Sequence, residues 1–131
     1  MLAGCAPAES SSYSAGILRS ACGSAGGGAV DLVLTQAELA CSTPSVDLPA
    51  TRLSVNAFGT VSALDAVEVE RAYLAERCTD GACSAITGGT LETLRTEGDR
   101  AEVRWSLELA DGSLDEGTAW IRVCAGSTGC L

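Results

Sequence analysis

The C-terminal half of the chain alternates apolar and polar residues with a period of two, and this pattern constrains the fold most. Between residues 103 and 109 the odd positions are Val, Trp, Leu and Leu, whereas the even positions are Arg, Ser and Glu. Successive side chains of a strand point to opposite faces, so the pattern predicts a strand with one buried face. Predicted strands of this kind are residues 89–96, 101–109 and 117–124, with turns at Gly98-Asp99 and Asp111-Gly112.

The N-terminal half contains shorter segments of the same type. Residues 16–22, 29–34 and 51–58 are predicted strands. Loops are predicted where Gly or Pro is frequent, at residues 23–28 and 42–50. Turn signals recur roughly every ten residues, which predicts an all-β fold, a small antiparallel β-sandwich or barrel of about 6–8 short strands.

Two segments leave alternatives open. Residues 35–41 either continue a strand or form one turn of helix. In residues 62–78, Val67 and Val69 alternate with Glu68 and Glu70 as in a strand, but the apolar positions also fit helical spacing. The β-branched residues and the neighbouring strands favour a strand there.

The two last predicted strands restrict each other's register. Opposed residues of an antiparallel pair share a face, so Val103 must lie opposite Ala119 or Ile121 to match the apolar sets. This requires a connection of odd length, such as a three-residue turn with Gly112 in the left-handed conformation. The register buries Trp105 and places Trp120 on the polar face, near Arg104 and able to stack on its guanidinium. An indole on a polar face is either covered by another part of the chain or offered to a partner, so Trp120 and Arg104 are candidate binding residues.

The first residues carry a motif of a known class. Leu2-Ala3-Gly4-Cys5 resembles the lipobox of bacterial lipoproteins. In that family the signal peptide is cut before the cysteine, whose thiol carries a diacylglycerol, so the resemblance implies that Cys5 is the membrane anchor. Ala6 follows, where lipoproteins retained in the inner membrane often carry Asp, which implies the outer membrane. The charged and apolar segments of a signal peptide are missing before the motif, so we expect an upstream start.

This resemblance suggests a simple domain organisation. Residues 1–4 are the expected remnant of the signal peptide, and residues 5–15 are the expected lipid anchor and flexible polar tether. Residues 16–131 are long enough for one β domain, and we expect no second one.

The other six cysteines predict a set of disulfides. An even number of cysteines in an exported chain is typical of disulfide bonding, here by Cys22, Cys41, Cys78, Cys83, Cys124 and Cys130. Cys78–Cys83 is the predicted local pair, because the Thr-Asp-Gly-Ala segment between them is a turn. Cys22–Cys41 and Cys124–Cys130 are the simplest completion. A zinc site is disfavoured because the spacing lacks C-x2-C and the chain contains no His.

The charge of the chain argues against two classes of partner. Acidic residues number 17 and basic residues 8, giving a net charge of −9. Binding to nucleic acid or to anionic lipid requires clustered basic residues, whereas these are scattered in sequence. No apolar run approaches the roughly 20 residues of a transmembrane helix, so we expect none.

Catalytic patterns are sparse in the sequence. The absence of His excludes Ser-His-Asp and Cys-His arrangements, and no G-x-S-x-G or phosphate-binding loop occurs. Paired carboxylates remain as a route to hydrolysis, with Asp111, Asp115 and Glu116 on one hairpin and Glu68 and Glu70 on another segment. The ordinary interpretation of these two groups is a solvated turn and a solvated strand face. The loop at residues 111–116 lacks the spacing of a calcium loop, so we predict neither a metal nor a cofactor.

Three functional hypotheses follow from the sequence. The first is a non-catalytic binding or structural module, held at the membrane by lipid on Cys5, with an envelope protein or a glycan as partner. The second is a carboxylate-based hydrolase, which needs two acidic groups about 5–9.5 Å apart in a cleft. The third is a β-barrel that holds a small apolar ligand, which needs an internal cavity.

Overall fold

The computed structural model describes residues 13–22, 28–43, 45–58, 66–68 and 74–124. Apart from one turn of 3-10 helix at Ser45–Asp47, every regular element in these ranges is a strand. In chain order the strands are β1 Ala15–Cys22, β2 Gly28–Thr35, β3 Arg52–Phe58, β4 Ala66–Glu68, β5 Leu74–Thr79, β6 Ala82–Glu97, β7 Arg100–Leu109 and β8 Leu114–Val123. The all-β prediction is therefore confirmed. None of the helical structure in these ranges is long and apolar enough to cross a membrane.

Seven of the strands close into a barrel. Their order around the ring is β6-β5-β3-β2-β1-β8-β7, and β7 pairs again with β6. Strand β4 lies outside the ring, paired with the middle of β6. All neighbours are antiparallel except β1 and β8, which run parallel and join the two ends of the chain. Of the two predicted architectures, sandwich and barrel, the barrel is correct; its closure leaves fewer unpaired strand edges.

The segment that fitted both a strand and a helix contains strands wherever it is described. These are β4 and the first part of β5, whereas residues 62–65 and 69–73 lie outside the described ranges. Strand β6 begins at Ala82, whereas its predicted start is residue 89. The pairing with β7 continues through Gly89 and Gly88 to Ile86, because the register shifts between Ile86 and Gly88. Gly89 must be glycine, since a Cβ there would lie 2.1 Å from the carbonyl oxygen of Ser106.

The predicted turns are present with the expected backbone. Asp80 and Gly81 both have positive φ, 52° and 88°, as a two-residue type I′ turn between β5 and β6 requires. In the β7–β8 hairpin, the backbone N–H of Leu109 donates to the carbonyl oxygen of Ser113 at 2.9 Å, which leaves a three-residue connection. Gly112 lies within it at φ 89°. The predicted odd-length turn is confirmed.

The β7–β8 register agrees with the parity argument. Val103 lies opposite Ala119, and Trp105 lies opposite Gly117. Trp105 is 1% exposed inside the barrel, whereas Trp120 is half-buried on the opposite face. The two tryptophans therefore lie on different faces, as predicted.

The interior of the barrel is filled by one cluster of apolar side chains. Its members come from β1, β2, β3, β6, β7 and β8 and from the residue preceding β1 by two positions. The cluster consists of Tyr13, Leu18, Val30, Leu32, Leu34, Leu53, Val55, Ile86, Leu91, Ala101, Val103, Trp105, Leu107, Leu109, Ala119 and Ile121. Tyr13 is 2% exposed. Residues 13–15, which were expected in the tether, therefore belong to the β domain, and the rest of the expected tether lies outside the described ranges.

A second, smaller cluster lies on the outside of the barrel. Ile17 and Val33 point away from the interior and are covered by the segment between β2 and β3, which we name the covering loop (residues 36–43 and 45–50). Residues 35–41 form neither alternative predicted for them: β2 ends at Thr35, and residues 36–40 are irregular. The buried guanidinium of Arg19 donates to the carbonyl oxygens of Cys41 (3.1 Å) and Thr43 (2.6 Å). The covering loop thus satisfies a buried cation with its own backbone.

Two disulfides lie in the described part of the chain. Cys78–Cys83 was predicted and is confirmed. Cys41 bonds to Cys124. The predicted pairs Cys22–Cys41 and Cys124–Cys130 are therefore wrong. The physical reason is topological: β8 ends beside β1, where the covering loop packs, so Cys124 meets a residue 83 positions away. Cys130 and the side chain of Cys22 lie outside the description.

Candidate functional site on the outer face of the barrel

The outward side of β6, β7 and β8 is a polar surface, which we name the outer face. Arg95 on β6 donates to Glu102 on β7 at 2.9 Å. Glu92 on β6 forms an ion pair with Arg104 on β7. These cross-strand partners follow directly from the register, because polar residues at alternate positions of neighbouring strands are brought opposite one another.

A shallow depression of about 330 Å³ lies on the outer face. Arg104, which the sequence singled out, lines it together with hydroxyl and carboxylate side chains. Ser106 donates to Glu116 at 3.0 Å within the same surface. The complete lining is Thr90, Glu92, Arg104, Trp105, Ser106, Glu116, Gly117 and Thr118. Such a lining offers donors and acceptors of hydrogen bonds at an open surface, chemistry that suits a polar ligand.

Trp120 lies on the same face but contacts a different arginine from the one expected. The guanidinium carbon of Arg95, not that of Arg104, lies 5.4 Å from the centre of the indole ring. The cause is the register: Trp120 lies opposite Glu102, and Glu102 lies opposite Arg95, so the three form one row across the sheet. Arg104 lies in the next polar row, opposite Thr118. The expected stacking of Arg104 on Trp120 is therefore wrong.

The covering loop reaches the other side of Trp120. Glu38 and Leu39 line a narrow cleft with the indole. The carboxylate of Glu38 lies 3.6 Å from Arg100 and 3.7 Å from Arg122, two arginines that are direct cross-strand neighbours. Trp120 is thus partly covered by its own chain and partly open to solvent, with cationic side chains on both sides.

A buried polar cluster lies inside the barrel, beneath the outer face. The indole N–H of Trp105 donates to one oxygen of Asp115 at 3.0 Å, and the other oxygen lies 3.2 Å from Arg77. Arg77 also donates to the hydroxyl of Tyr13 at 3.3 Å. The Tyr13 and Trp105 rings lie 6.1 Å apart, so the four side chains form one connected group. Each polar group is paired, which is what a low-dielectric interior requires.

Burial dominates the protonation of Tyr13. Loss of solvent raises the pKa of the Tyr13 phenol above its ordinary value, and the nearby charge of Asp115 acts in the same direction. The hydrogen bond from Arg77 opposes this shift. That same hydrogen bond raises the pKa of Arg77. The cluster therefore holds a neutral phenol beside an ion pair at neutral pH.

The described candidate catalytic carboxylates, those of the β7–β8 hairpin, have different hydrogen-bond partners. Asp115 points inward into the buried cluster, while Glu116, its neighbour on β8, points outward to Ser106. Asp111 accepts bonds from the hydroxyl and the backbone N–H of Ser113, and the side-chain bond contributes most to lowering its pKa. The side chain of Glu68 and all of Glu70 lie outside the description.

One group of potential metal ligands exists in the described ranges. Ligand atoms of Glu76, Cys78 and Cys83 lie within 4.8 Å of one another. Both sulfurs are joined in the disulfide, so only the carboxylate of Glu76 is available as a ligand in this oxidised state.

Sequence reasoning missed two members of the buried cluster, Tyr13 and Arg77. Tyr13 lies in a polar, Ser-rich segment that is typical of a tether. Arg77 lies at a position of β5 that the register places opposite Leu53, and only the pairing reveals that this position faces the interior. The sequence did point to Asp115, because it lies on an acidic hairpin. Only the strand register shows that its side chain points into the barrel.

Comparison of the chain with protein-family models, with curated proteins and with solved structures finds no match. The fold defines the class of the protein: it is a disulfide-linked all-β domain built on a closed seven-strand barrel. The predicted lipid anchor, Cys5, lies outside the described residues.

Proposed function

We propose that this chain is an envelope lipoprotein, anchored by lipid on Cys5, whose barrel is a non-catalytic binding module. The observation that carries the proposal is the polar depression of about 330 Å³ on the outer face, with Trp120 in the adjoining row. We infer that its ligand is a glycan of the cell envelope. Hydroxyl, carboxylate and guanidinium groups can bond to sugar hydroxyls, and an indole offers a flat apolar face to a sugar ring.

The barrel interior supports binding at the surface in preference to binding inside. Tyr13 and Trp105 pack with the apolar residues of six strands into one cluster. A barrel that carries an apolar ligand needs an internal cavity in place of such a cluster.

The carboxylates support a non-catalytic role. A glycoside hydrolase of the usual kind needs two carboxyl groups facing one substrate, with one of them poised as an acid. Asp115 is instead bonded to Trp105 and Arg77 inside the barrel, and Glu116 faces the other side of the sheet.

The proposed anchor would present the outer face at a membrane. Residues 6–12 separate Cys5 from the buried Tyr13, and an extended chain of that length spans roughly 25 Å. The lipid would therefore keep the outer face close to the envelope polymers at the membrane surface. The net charge of −9 would disfavour direct contact with anionic lipid.

Sedimentation with insoluble envelope glycan tests the ligand. We expect the purified protein to pellet with the glycan, and we expect Trp120→Ala and Arg104→Ala each to weaken the binding about tenfold. Val46→Ala is the matched control, because Val46 is 90% exposed and does not line the depression. A protein that remains in the supernatant at all glycan concentrations, or variants that pellet like the wild type, would contradict the assignment.

A further inference from the structure

The two described disulfides have different surroundings. Cys41–Cys124 joins residues 83 positions apart; Cys124 is 3% exposed and Cys41 is half-buried in the smaller apolar cluster. Cys78–Cys83 joins residues 5 positions apart across the β5–β6 hairpin. Cys78 is fully buried, but Cys83 is exposed. Because thiol–disulfide exchange requires access to a sulfur, the sulfur of Cys83 is the one that an incoming thiolate can reach.

The β5–β6 hairpin is held together independently of its disulfide. Thr79 pairs with Ala82 around the type I′ turn. The turn itself is fixed to the start of β3, since Gly81 donates to the carbonyl of Ala50 at 3.1 Å and Asp80 donates to the hydroxyl of Thr51 at 3.1 Å. A disulfide that closes so short a loop removes little entropy from the unfolded chain. The barrel should therefore remain folded when this bond is reduced.

A carboxylate stands beside the two sulfurs. Glu76 precedes Cys78 by two positions on β5, so both side chains lie on the same face of the strand. The ligand atoms of Glu76, Cys78 and Cys83 lie within 4.8 Å of one another. Glu76 is only partly neutralised, because the guanidinium of Arg52 lies 3.5 Å away and both side chains retain solvent contact.

We propose that Cys78–Cys83 is a reducible disulfide and that the reduced pair, together with Glu76, binds a thiophilic divalent cation such as Zn²⁺. Two thiolates and one carboxylate are donors that Zn²⁺ accepts in tetrahedral sites, and the exposed side of Cys83 leaves the fourth position to water. The site exists only after reduction, which makes cation binding conditional on the redox state of the hairpin.

The reductant is a dithiol, and the exchange balances. A thiolate of the dithiol attacks the sulfur of Cys83 and forms a mixed disulfide, while Cys78 leaves as a thiolate and takes up a proton. The second thiol of the reductant then attacks its own sulfur in the mixed disulfide and releases Cys83. Two electrons and two protons pass from the dithiol to the protein. Zn²⁺ subsequently displaces the two thiol protons.

Graded reduction of the folded wild-type protein tests the first half of the proposal. The protein is incubated with increasing dithiothreitol, alkylated and analysed by peptide mass spectrometry, with circular dichroism recorded in parallel. We expect Cys78 and Cys83 to be alkylated at reductant concentrations that leave Cys41–Cys124 intact and the β spectrum unchanged. Reduction of both disulfides together, of Cys41–Cys124 first, or only upon unfolding would overturn the proposal.

Titration of the mildly reduced protein with Zn²⁺ against a chromophoric chelator tests the second half. We expect one Zn²⁺ that is lost in Cys78→Ser/Cys83→Ser. Glu76→Gln should weaken the affinity for Zn²⁺ about 10–100-fold or more. Loss of an outer-shell partner has an effect of that size, and Glu76 is a direct ligand in the proposed site. Glu108→Gln is the control, because Glu108 is an exposed carboxylate on β7 that belongs neither to the depression nor to the group around Cys78. Equal Zn²⁺ binding by the double serine variant, or none by the reduced wild type, would overturn the site.

Discussion

Asp115 links the polar side chains inside the barrel, because one of its oxygens bonds to Trp105 and the other to Arg77. Its side chain is 6% exposed, so loss of the carboxylate would leave a buried indole N–H without its partner. The sequence identified Asp115 as one carboxylate of an acidic hairpin and gave a solvated turn as the ordinary interpretation. That interpretation holds for Asp111 and Glu116, which are exposed, and fails for Asp115, whose position opposite Leu107 places it inside.

Asp115→Ala should lower the free energy of unfolding by about 2–4 kcal/mol. The lower part of this range is favoured because Arg77 is one-third exposed and keeps some hydration. Glu108→Ala, an exposed position on β7, should change stability by less than about 0.5 kcal/mol. Urea denaturation of both variants provides the comparison, and equal effects would mean that the buried cluster contributes nothing.

Tyr13 should make the fold sensitive to alkaline pH. Its pKa is raised in the folded protein, mainly by burial, so the neutral phenol is the form that the fold favours. The resulting stabilisation is complete below the unfolded pKa of about 10 and is lost as the pH rises through the folded pKa.

Tyr13→Phe removes this titration and should lose less stability than the wild type between pH about 10 and 12. Urea denaturation at a series of pH values measures the difference, with neutral pH as the reference. Parallel pH profiles for the two proteins would show that Tyr13 ionises equally easily in the folded and unfolded chains.

At the scale of elements, the sequence predicts what depends on local pattern. Alternation and turn residues predict β7, β8 and the connection between them, including the register that separates Trp105 from Trp120. The covering loop shows the opposite case. Its residues have no periodic pattern, and the buried contacts of Arg19 with the carbonyls of Cys41 and Thr43 depend on β1 and β2 being adjacent. The pairing of Cys41 with Cys124 likewise arises from strand order and has no local signal.

Removal of the two disulfides should have unequal effects. Cys41→Ser/Cys124→Ser opens a loop of 83 positions and should cost about 4.5 kcal/mol by the chain-entropy estimate, whereas Cys78→Ser/Cys83→Ser should cost about 2 kcal/mol. The first variant should also increase hydrogen exchange in the covering loop, because loss of the disulfide releases this loop at one side of the apolar cluster around Ile17. Thermal unfolding and hydrogen-exchange mass spectrometry measure both effects. Equal stability losses would contradict the distinct roles assigned to the two bonds.

For the whole molecule, closure of the barrel is the property that the sequence predicted least. Alternation predicts strands with one buried face, which fits a sandwich as well as a barrel. Closure depends on one pairing that joins distant segments of the chain, that of β1 with β8. Strand β7 completes the ring through local hairpins with β6 and β8. The candidate site depends on the same closure. Glu38 reaches Arg100 and Arg122 only because β8 lies beside β1, where the covering loop is attached.

The cysteine count of the whole chain predicts one further disulfide. With Cys41–Cys124 and Cys78–Cys83 formed, Cys22 and Cys130 remain as partners if Cys5 carries the proposed lipid. We expect peptide mapping of exported protein without reductant to recover a Cys22–Cys130 peptide. Alkylation of Cys22 or Cys130 in that material would contradict three disulfides.

Acylation of Cys5 is the central claim of the proposed function, because it would give the proposed binding module its place in the envelope. Cells that express the protein from its native locus are grown with a radioactive fatty acid, and the protein is recovered from the membrane fraction. We expect label on the wild type and a loss of both label and membrane association in Cys5→Ser. Label and membrane association that persist in Cys5→Ser would contradict the lipoprotein assignment.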